Sequence, residues 1–375
     1  MSVHMDRRAI IKNAGVAGVA GVSGVSGIAG ILSASVAPAA HARPAVRWRL
    51  ASSFPRSLDT IYGGAETFAR HIRTMSGGQF DITVHEAGEL MPAFDVVDGV
   101  QNGLVEAAHT APYYYFDKDE TFAIGGAIPF GLNSRQMTAW TMEGNGLKLM
   151  REFYARYNII SFACGNTGAQ MGGWFRKEIH SVADIKGLKI RLGGFAGQVI
   201  GRMGGLPQNI PGGEIYRALE KGAIDAAEWI GPYDDQKLGF NKVANNYYYP
   251  GWWEGGLQLD LYINQAAYNA LTPEHKAMVE AASAAAHIAM QARYDARNPT
   301  ALKQLVGAGV KVRAFPADVM NASFKESIAL YAELSAKNKN WKKVYDDYAK
   351  FRADQNLWFR FTEATFDRFM QSQKL

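Results

Sequence analysis

The spacing of apolar positions changes period several times along the chain, and each change marks an element. Residues 47–52 read as a strand, 58–75 as a helix closed near Gly77-Gly78, and 80–85 as a second strand ahead of a helix at 96–101. That alternation predicts parallel sheet with crossover helices. Further on, Thr272 and Pro273 have the form of an N-cap and first helical residue, opening a long alanine-rich helix expected to stop near Arg297, ahead of Pro299. Trp341, Val344, Tyr345, Tyr348 and Phe351 fall on one helical stripe. Trp358, Phe361, Thr365, Phe366 and Phe369 continue it, so one terminal helix is expected over 341–370.

Two stretches repeat. Asn102-Gly103-Leu104-Val105-Glu106-Ala107-Ala108-His109 aligns with Lys221-Gly222-Ala223-Ile224-Asp225-Ala226-Ala227-Glu228, each reading as a helix stopped by glycine and then a strand. The preceding helices match too: Phe94, Val97 and Val100 in one, Ile215, Ala218 and Leu219 in the other, stand at helical spacing. Two related α/β lobes follow, which suits a chain longer than one hydrophobic core usually serves.

The N-terminus reads as an export signal of the twin-arginine kind. Arg7-Arg8 and Lys12 precede an uncharged, glycine-diluted stretch over 13–40, and Ala40-His41-Ala42 is a small-x-small cleavage site. Its removal would take away Arg7, Arg8 and Lys12 against Asp6, so the formal charge falls from +5 to +3. Nothing in that balance suggests nucleic acid. Cys164 is the only cysteine, which excludes an intrachain disulfide and any cysteine-cluster metal site.

The best clue to function is Arg191. Residues 181–191 form a short turn feeding a strand. Strand alternation puts Ile190 and Leu192 on the face opposite Lys189 and Arg191. The arginine then stands at the strand's carboxyl end, before Gly193-Gly194, where open α/β sheets place ligands. A guanidinium there could grip a carboxylate through two parallel hydrogen bonds. The plainer alternative is an edge-strand arginine facing water.

Residues 181–191 resemble the signature stretch of the solute-binding proteins of tripartite ATP-independent periplasmic (TRAP) transporters. Gly165-Asn166-Thr167-Gly168-Ala169-Gln170, Asp225-Ala226-Ala227-Glu228-Trp229 and Gly251-Trp252-Trp253-Glu254 extend the likeness to the branch similar to binding proteins for 2-oxo and 2-hydroxy monocarboxylates. The resemblance runs from about Trp48 to the C-terminus. It implies an α/β, two-lobed periplasmic solute-binding fold with an interlobe cleft, a long spine helix and an extended C-terminal helix. After a signal over 1–42, lobe I would take 43–168 with 257–296 and lobe II 169–256 with 297–340, leaving 341–375 as the terminal helix. Implied partners are a small carboxylate such as pyruvate or lactate and the TRAP membrane permease. The terminal helix either covers its own lobe or, as in some members, is exchanged within a homodimer.

The resemblance also implies site roles. Arg191 would hold the ligand carboxylate, while Gln170, Glu228, Glu254 and the Trp229 carbonyl would hold a cation. Electrostatics agrees: buried carboxylates need protons, cations or donors, and all-oxygen ligands favour Na⁺ or Ca²⁺. Arg191, Glu228, Glu254 and a ligand carboxylate sum to −2, which Ca²⁺ would bring to zero.

Tyr113-Tyr114-Tyr115 and Tyr247-Tyr248-Tyr249 place phenols near strand ends. Tyr114 is taken from the first group as a ligand donor, against the reading that each simply packs. His85 and His109 have no partners at metal spacing. The competing class is a periplasmic enzyme using Glu228 and Glu254 as an acid/base pair on a small acid or sugar. Against it, the chain carries no phosphate-cradling loop, metal cluster or nucleophilic triad signature.

Overall fold

A computed structural model describes residues 46–373; the expected export signal lies outside them. The strands are β1 (Val46–Ser52), β2 (Phe80–His85), β3 (Ala107–Thr110), β4 (Ile159–Asn166), β5 (Trp174–Phe175), β6 (Lys189–Arg191), β7 (Leu206–Gln208), β8 (Ala226–Ala227), β9 (Asn246–Tyr249), β10 (Gln258–Asn264) and β11 (Lys311–Ala314). They form two sheets, ordered β2-β1-β3-β10-β4 and β11-β9-β5-β8-β6-β7. The parallel pairs predicted from the early alternation are present, β1 lying parallel to both β2 and β3. Both sheets are nevertheless mixed. β10 runs antiparallel between β3 and β4, and β5 runs antiparallel between β8 and β9. Every residue of β10 is buried, so no alternation in its sequence announces it.

The repeated stretches adopt the same structure. Gly103 and Gly222 take positive φ, 70° and 71°, which only glycine accepts without strain. Leu104 N donates to Gly99 O and Ala223 N to Ala218 O, closing matching turns. The acid that follows braces the neighbouring parallel strand in both copies. Arg49 N donates to Glu106 Oε2, and Lys189 N to Asp225 Oδ2. Each acid precedes its strand rather than lying within it, as β3 starts at Ala107 and β8 at Ala226. By this correspondence β1–β3 of the first lobe matches β6–β8 of the second.

The spine helix runs Pro273–Gly307, capped as expected by Thr272, whose side chain accepts from His275 N. It does not stop near Arg297 but continues through Pro299. An interior proline costs about 3 kcal/mol. Ala301 and Leu305, both buried beyond it, supply packing that offsets this. The helix packs on β4 and on the helix Tyr62–Met75 of the first lobe, and on the helix Pro232–Leu238 of the second.

The terminal segment is two helices, Lys339–Phe361 and Glu363–Ser372, not one. Thr362 Oγ1 donates back to Trp358 O and Thr365 Oγ1 to Arg360 O, side-chain bonds of the kind that bend helices, and Thr362 leaves helical geometry. The aromatic stripe divides at the same region. Trp341, Val344 and Tyr348 are buried in their own chain, whereas Leu357, Trp358, Phe361, Phe366 and Phe369 are exposed. Among the described residues no helix is long and apolar enough to cross a membrane.

Candidate functional site

β6 lies between β7 and β8, so Arg191 is not on an edge strand. It pairs in register with Ala227, and Glu228 N donates to Arg191 O at 3.2 Å, which places Glu228 beside the arginine. Ile190 and Leu192 enter the core as alternation predicts, but Arg191 is equally buried on the opposite face, at 0% exposure. Its Nη1 donates to Glu228 Oε2 at 2.6 Å and to Glu228 O at 2.9 Å, and its Nε to Ile210 O at 3.1 Å. The expected two-pronged grip on a ligand is therefore altered. Nε and Nη1 are committed to the protein, and Nη2 alone has no partner. The Trp229 ring lies under the guanidinium, 5.1 Å from Cζ.

Gln170 and Glu254 come from two of the three segments in which the chain passes between sheets, β4 to β5 and β9 to β10, the spine helix being the third. In the first, Gly168 turns at φ 67° and donates to Asn166 Oδ1, and Gln170 Nε2 donates to Thr167 Oγ1 at 3.0 Å. In the second, Gly251 N donates to Gln170 O at 2.9 Å and Glu254 N to Gly251 O. A side chain at 251 would stand 2.8 Å from Gln170 O, so glycine is required for the two crossings to touch. The flanking carbonyls of Glu228 and Ile230 are bonded by Arg191 and Met171 N, and the Trp229 carbonyl lies between them.

Burial raises the Glu228 and Glu254 pKa values, Arg191 opposing the rise at both and the charge of Glu228 adding to it at Glu254. Besides Asn166 Nδ2, Asp234 Oδ1 and the indole nitrogens of Trp229, Trp252 and Trp253, four buried polar atoms in this region have no hydrogen-bond partner: Gln170 Oε1, Glu228 Oε1, Glu254 Oε2 and Arg191 Nη2. Three are oxygens suited to a hard cation and one is a donor suited to an anion. Among the described residues no group of three or more His, Cys, Asp or Glu could hold a metal. A cation here would need amide and backbone oxygens besides the two acids.

Tyr114 sits in the turn Pro112–Tyr115 after β3, against Tyr113 and Phe94. Burial first, and then the Glu228 and Glu254 charges against the opposing pull of Arg191, push its phenol up to about 12. Tyr115 is occupied instead with Thr110, and Tyr247 with Asp235. Sequence reading passed over Tyr113, which joins Tyr114, Gly193, Gly194 and Asn209 in lining a cavity of about 190 Å³. It also missed Asp234 and Asp235, buried at the start of the helix Pro232–Leu238 only a few residues after Glu228-Trp229. Two adjacent acids following a proline at a helix start were the available signal.

Two sheets joined by repeated crossings, with a buried arginine, two acids and an amide gathered at those crossings, define a two-lobed receptor for a small charged solute. The chain belongs to the bacterial extracellular solute-binding protein family 7, whose model matches residues 51–338. It is 46% identical over 331 residues to a monocarboxylate 2-oxoacid-binding periplasmic protein of Nostoc sp., covering 88% of this chain and 91% of the relative. A TRAP transporter solute-binding protein of Bordetella bronchiseptica, crystallised as a mixed-occupancy dimer with calcium and picolinate, superposes with a TM-score of 0.87 at 48% identity, over 88% of this chain and 98% of that one. One of Pseudoalteromonas atlantica with bound sodium and pyruvate gives a TM-score of 0.84 at 36% identity, over 88% and 99%. These relatives are transport receptors, not enzymes. In keeping with that, Glu228 is not a free acid/base group but half of an ion pair.

Proposed function

We propose that this chain captures a small 2-oxo or 2-hydroxy monocarboxylate outside the cytoplasm and delivers it to a TRAP permease. The observation that carries the reading is that three orphaned acceptor oxygens and one orphaned guanidinium NH2 group are buried in the region where the chain crosses between lobes. Gln170, Glu228, Glu254 and the Trp229 carbonyl would hold Na⁺ or Ca²⁺, whose charge offsets the two acids and bridges to the ligand. Arg191 Nη2 would donate to the ligand carboxylate, and the Tyr114 phenol, kept protonated, would donate to a ligand oxygen. The orphaned set suits a head of carboxylate plus adjacent oxygen. The relatives' pyruvate and picolinate, each bound with a cation, support the same head group.

Two finer parts belong to this reading. The exposed aromatic half of the terminal helices would pack against a second copy of the chain, and the Met1–Ala42 segment would direct twin-arginine export. Calorimetry with pyruvate, lactate and longer 2-oxo acids, in choline, Na⁺ or Ca²⁺ buffers, tests the site. Binding that requires a metal cation is expected. Tight binding indifferent to every cation would remove the metal, and failure of all monocarboxylates would overturn the ligand class.

A further inference from the structure

Asp59 lies between β1 and the helix Tyr62–Met75, on the first lobe, with its side chain 47% exposed. Three side chains converge on its carboxylate. Tyr233 Oη donates at 3.1 and 3.2 Å, Arg297 Nη1 donates at 2.8 Å, and Lys237 Nζ pairs with Oδ1. Tyr233 and Lys237 belong to the helix Pro232–Leu238, which starts three residues after Trp229 and sits between β8 and β9 of the second sheet. Arg297 comes from the spine and also donates to Tyr233 Oη at 2.9 Å, while both cations lie over the Tyr233 ring, at 4.9 and 4.6 Å.

That helix is anchored from behind. Asp235 accepts from Trp174 Nε1 at 2.9 Å and Tyr247 Oη at 2.6 Å, both in the second sheet. Asp234 accepts from Tyr294 Oη at 2.8 Å and Tyr233 N donates to Asn298 Oδ1 at 3.0 Å, which ties the helix to the spine. Asp59 thus joins a rigid unit of the second lobe to the first, immediately downstream of the residues gathered around Arg191.

We propose that Asp59 is the latch of the closed cleft: its carboxylate, held by Tyr233 and Lys237 of the second lobe and Arg297 of the spine, sets how slowly a bound solute leaves. Two cations meet one anion at a partly exposed place, so the latch is favourable, sensitive to salt and weak enough to open. It touches no ligand. Its effect falls on the dissociation rate, because the lobes must part before the solute escapes. The proposal rests on the solute-receptor reading of the fold.

The test is stopped-flow tryptophan fluorescence on the exported chain with pyruvate and Ca²⁺. Asp59→Asn should raise the dissociation rate roughly 3- to 30-fold, the range open to a network of partly exposed pairs, with the association rate nearly unchanged. Added KCl should speed dissociation from the parent chain more than from the variant. Lys237→Gln should act in the same direction and be less than additive with Asp59→Asn. An unchanged dissociation rate with a lowered ligand-free melting temperature would overturn the latch and leave a structural brace. If pyruvate does not bind the parent chain, the ligand reading alone fails. The latch is then read from the interlobe distance between spin labels on cysteines replacing Glu66 and Lys221. A wider distribution in Asp59→Asn supports it, and an unchanged one overturns it.

Discussion

Arg191 and Glu228 form the one fully buried ion pair among the described residues, Nη1 to Oε2 at 2.6 Å with the side chains 0% and 1% exposed. The pair is incomplete by design of its surroundings: one guanidinium nitrogen and one carboxylate oxygen remain without partners, as do Gln170 Oε1 and Glu254 Oε2 nearby. Burying charge in such an arrangement costs free energy that a proton, a cation or a bound donor can offset.

Removing the arginine should therefore be severe. Arg191→Ala leaves Glu228 and Glu254 enclosed without a counter-charge, costing roughly 3–5 kcal/mol and several hundredfold or more in pyruvate affinity by calorimetry. Arg191→Lys keeps the charge but loses the planar fork that reaches Ile210 O and Glu228 O together, and is expected to bind nearly as poorly.

A test of packing beneath the arginine uses Gly212. A Cβ there would stand 2.3 Å from the Trp229 ring, which is itself 4% exposed and cannot retreat freely. Gly212→Ala should cost about 1–3 kcal/mol in unfolding free energy and weaken pyruvate binding by tilting the indole away from Arg191. Gly213→Ala, which meets nothing within 4 Å, should change neither.

The buried acids Asp260 and Asp234 should each contribute a fall in stability as pH rises, against an opposite contribution from His109 and His287, whose pKa values burial lowers to about 4. Burial pushes Asp260 up to about 7 from 3.8, against the opposing bonds from Gln258 and Tyr154, and Asp234 also to about 7. An acid whose pKa is higher folded than unfolded contributes fully below the unfolded value and loses that contribution as pH rises through the folded one. In ligand-free protein unfolded by urea, each such acid should thus contribute a loss of up to about 1.4 kcal/mol per pH unit between about pH 4 and 7. Asp260→Asn should flatten that slope by one proton's share; an unchanged slope would show that Asp260 does not titrate in the window.

The terminal helices give a test of assembly. Trp341 packs on Phe195, Tyr331 and Tyr345, and Tyr348 on Trp140, so truncation before Trp341 should damage the fold itself. Truncation after Asn356 removes the exposed aromatic part together with the half-buried Phe359 and the Arg135–Glu363 ion pair, and should convert a dimer to a monomer by light scattering with only a small loss of melting temperature. A full-length chain that is monomeric at micromolar concentration would rule out the exchange.

For export, replacing Arg7 and Arg8 by lysine should leave precursor in the cytoplasm, as the twin-arginine route requires both guanidinium groups. Unchanged periplasmic yield in a cell-fractionation assay would point to the general secretory route.

Much of this protein is legible in local sequence. The glycine-stopped helices before Glu106 and Asp225 betray the repeated unit, because a positive φ and an acid bracing the next strand are demands a short segment states by itself. The candidate residues Arg191, Glu228, Gln170 and Glu254 are also singled out there, each near glycines or tryptophans that shape its setting. What tertiary structure alone decided is which atoms those side chains keep free. Sequence offered Arg191 a two-pronged grip, but Glu228 and Ile210, 37 and 19 residues away, take up Nε and Nη1. The same holds for β10, whose uniform burial erases its period, and for Pro299, which packing carries inside a helix that local rules would end. Asp59 shows the limit most plainly, since its partners lie 174 to 238 residues on and no local pattern encodes a contact made only when two lobes meet.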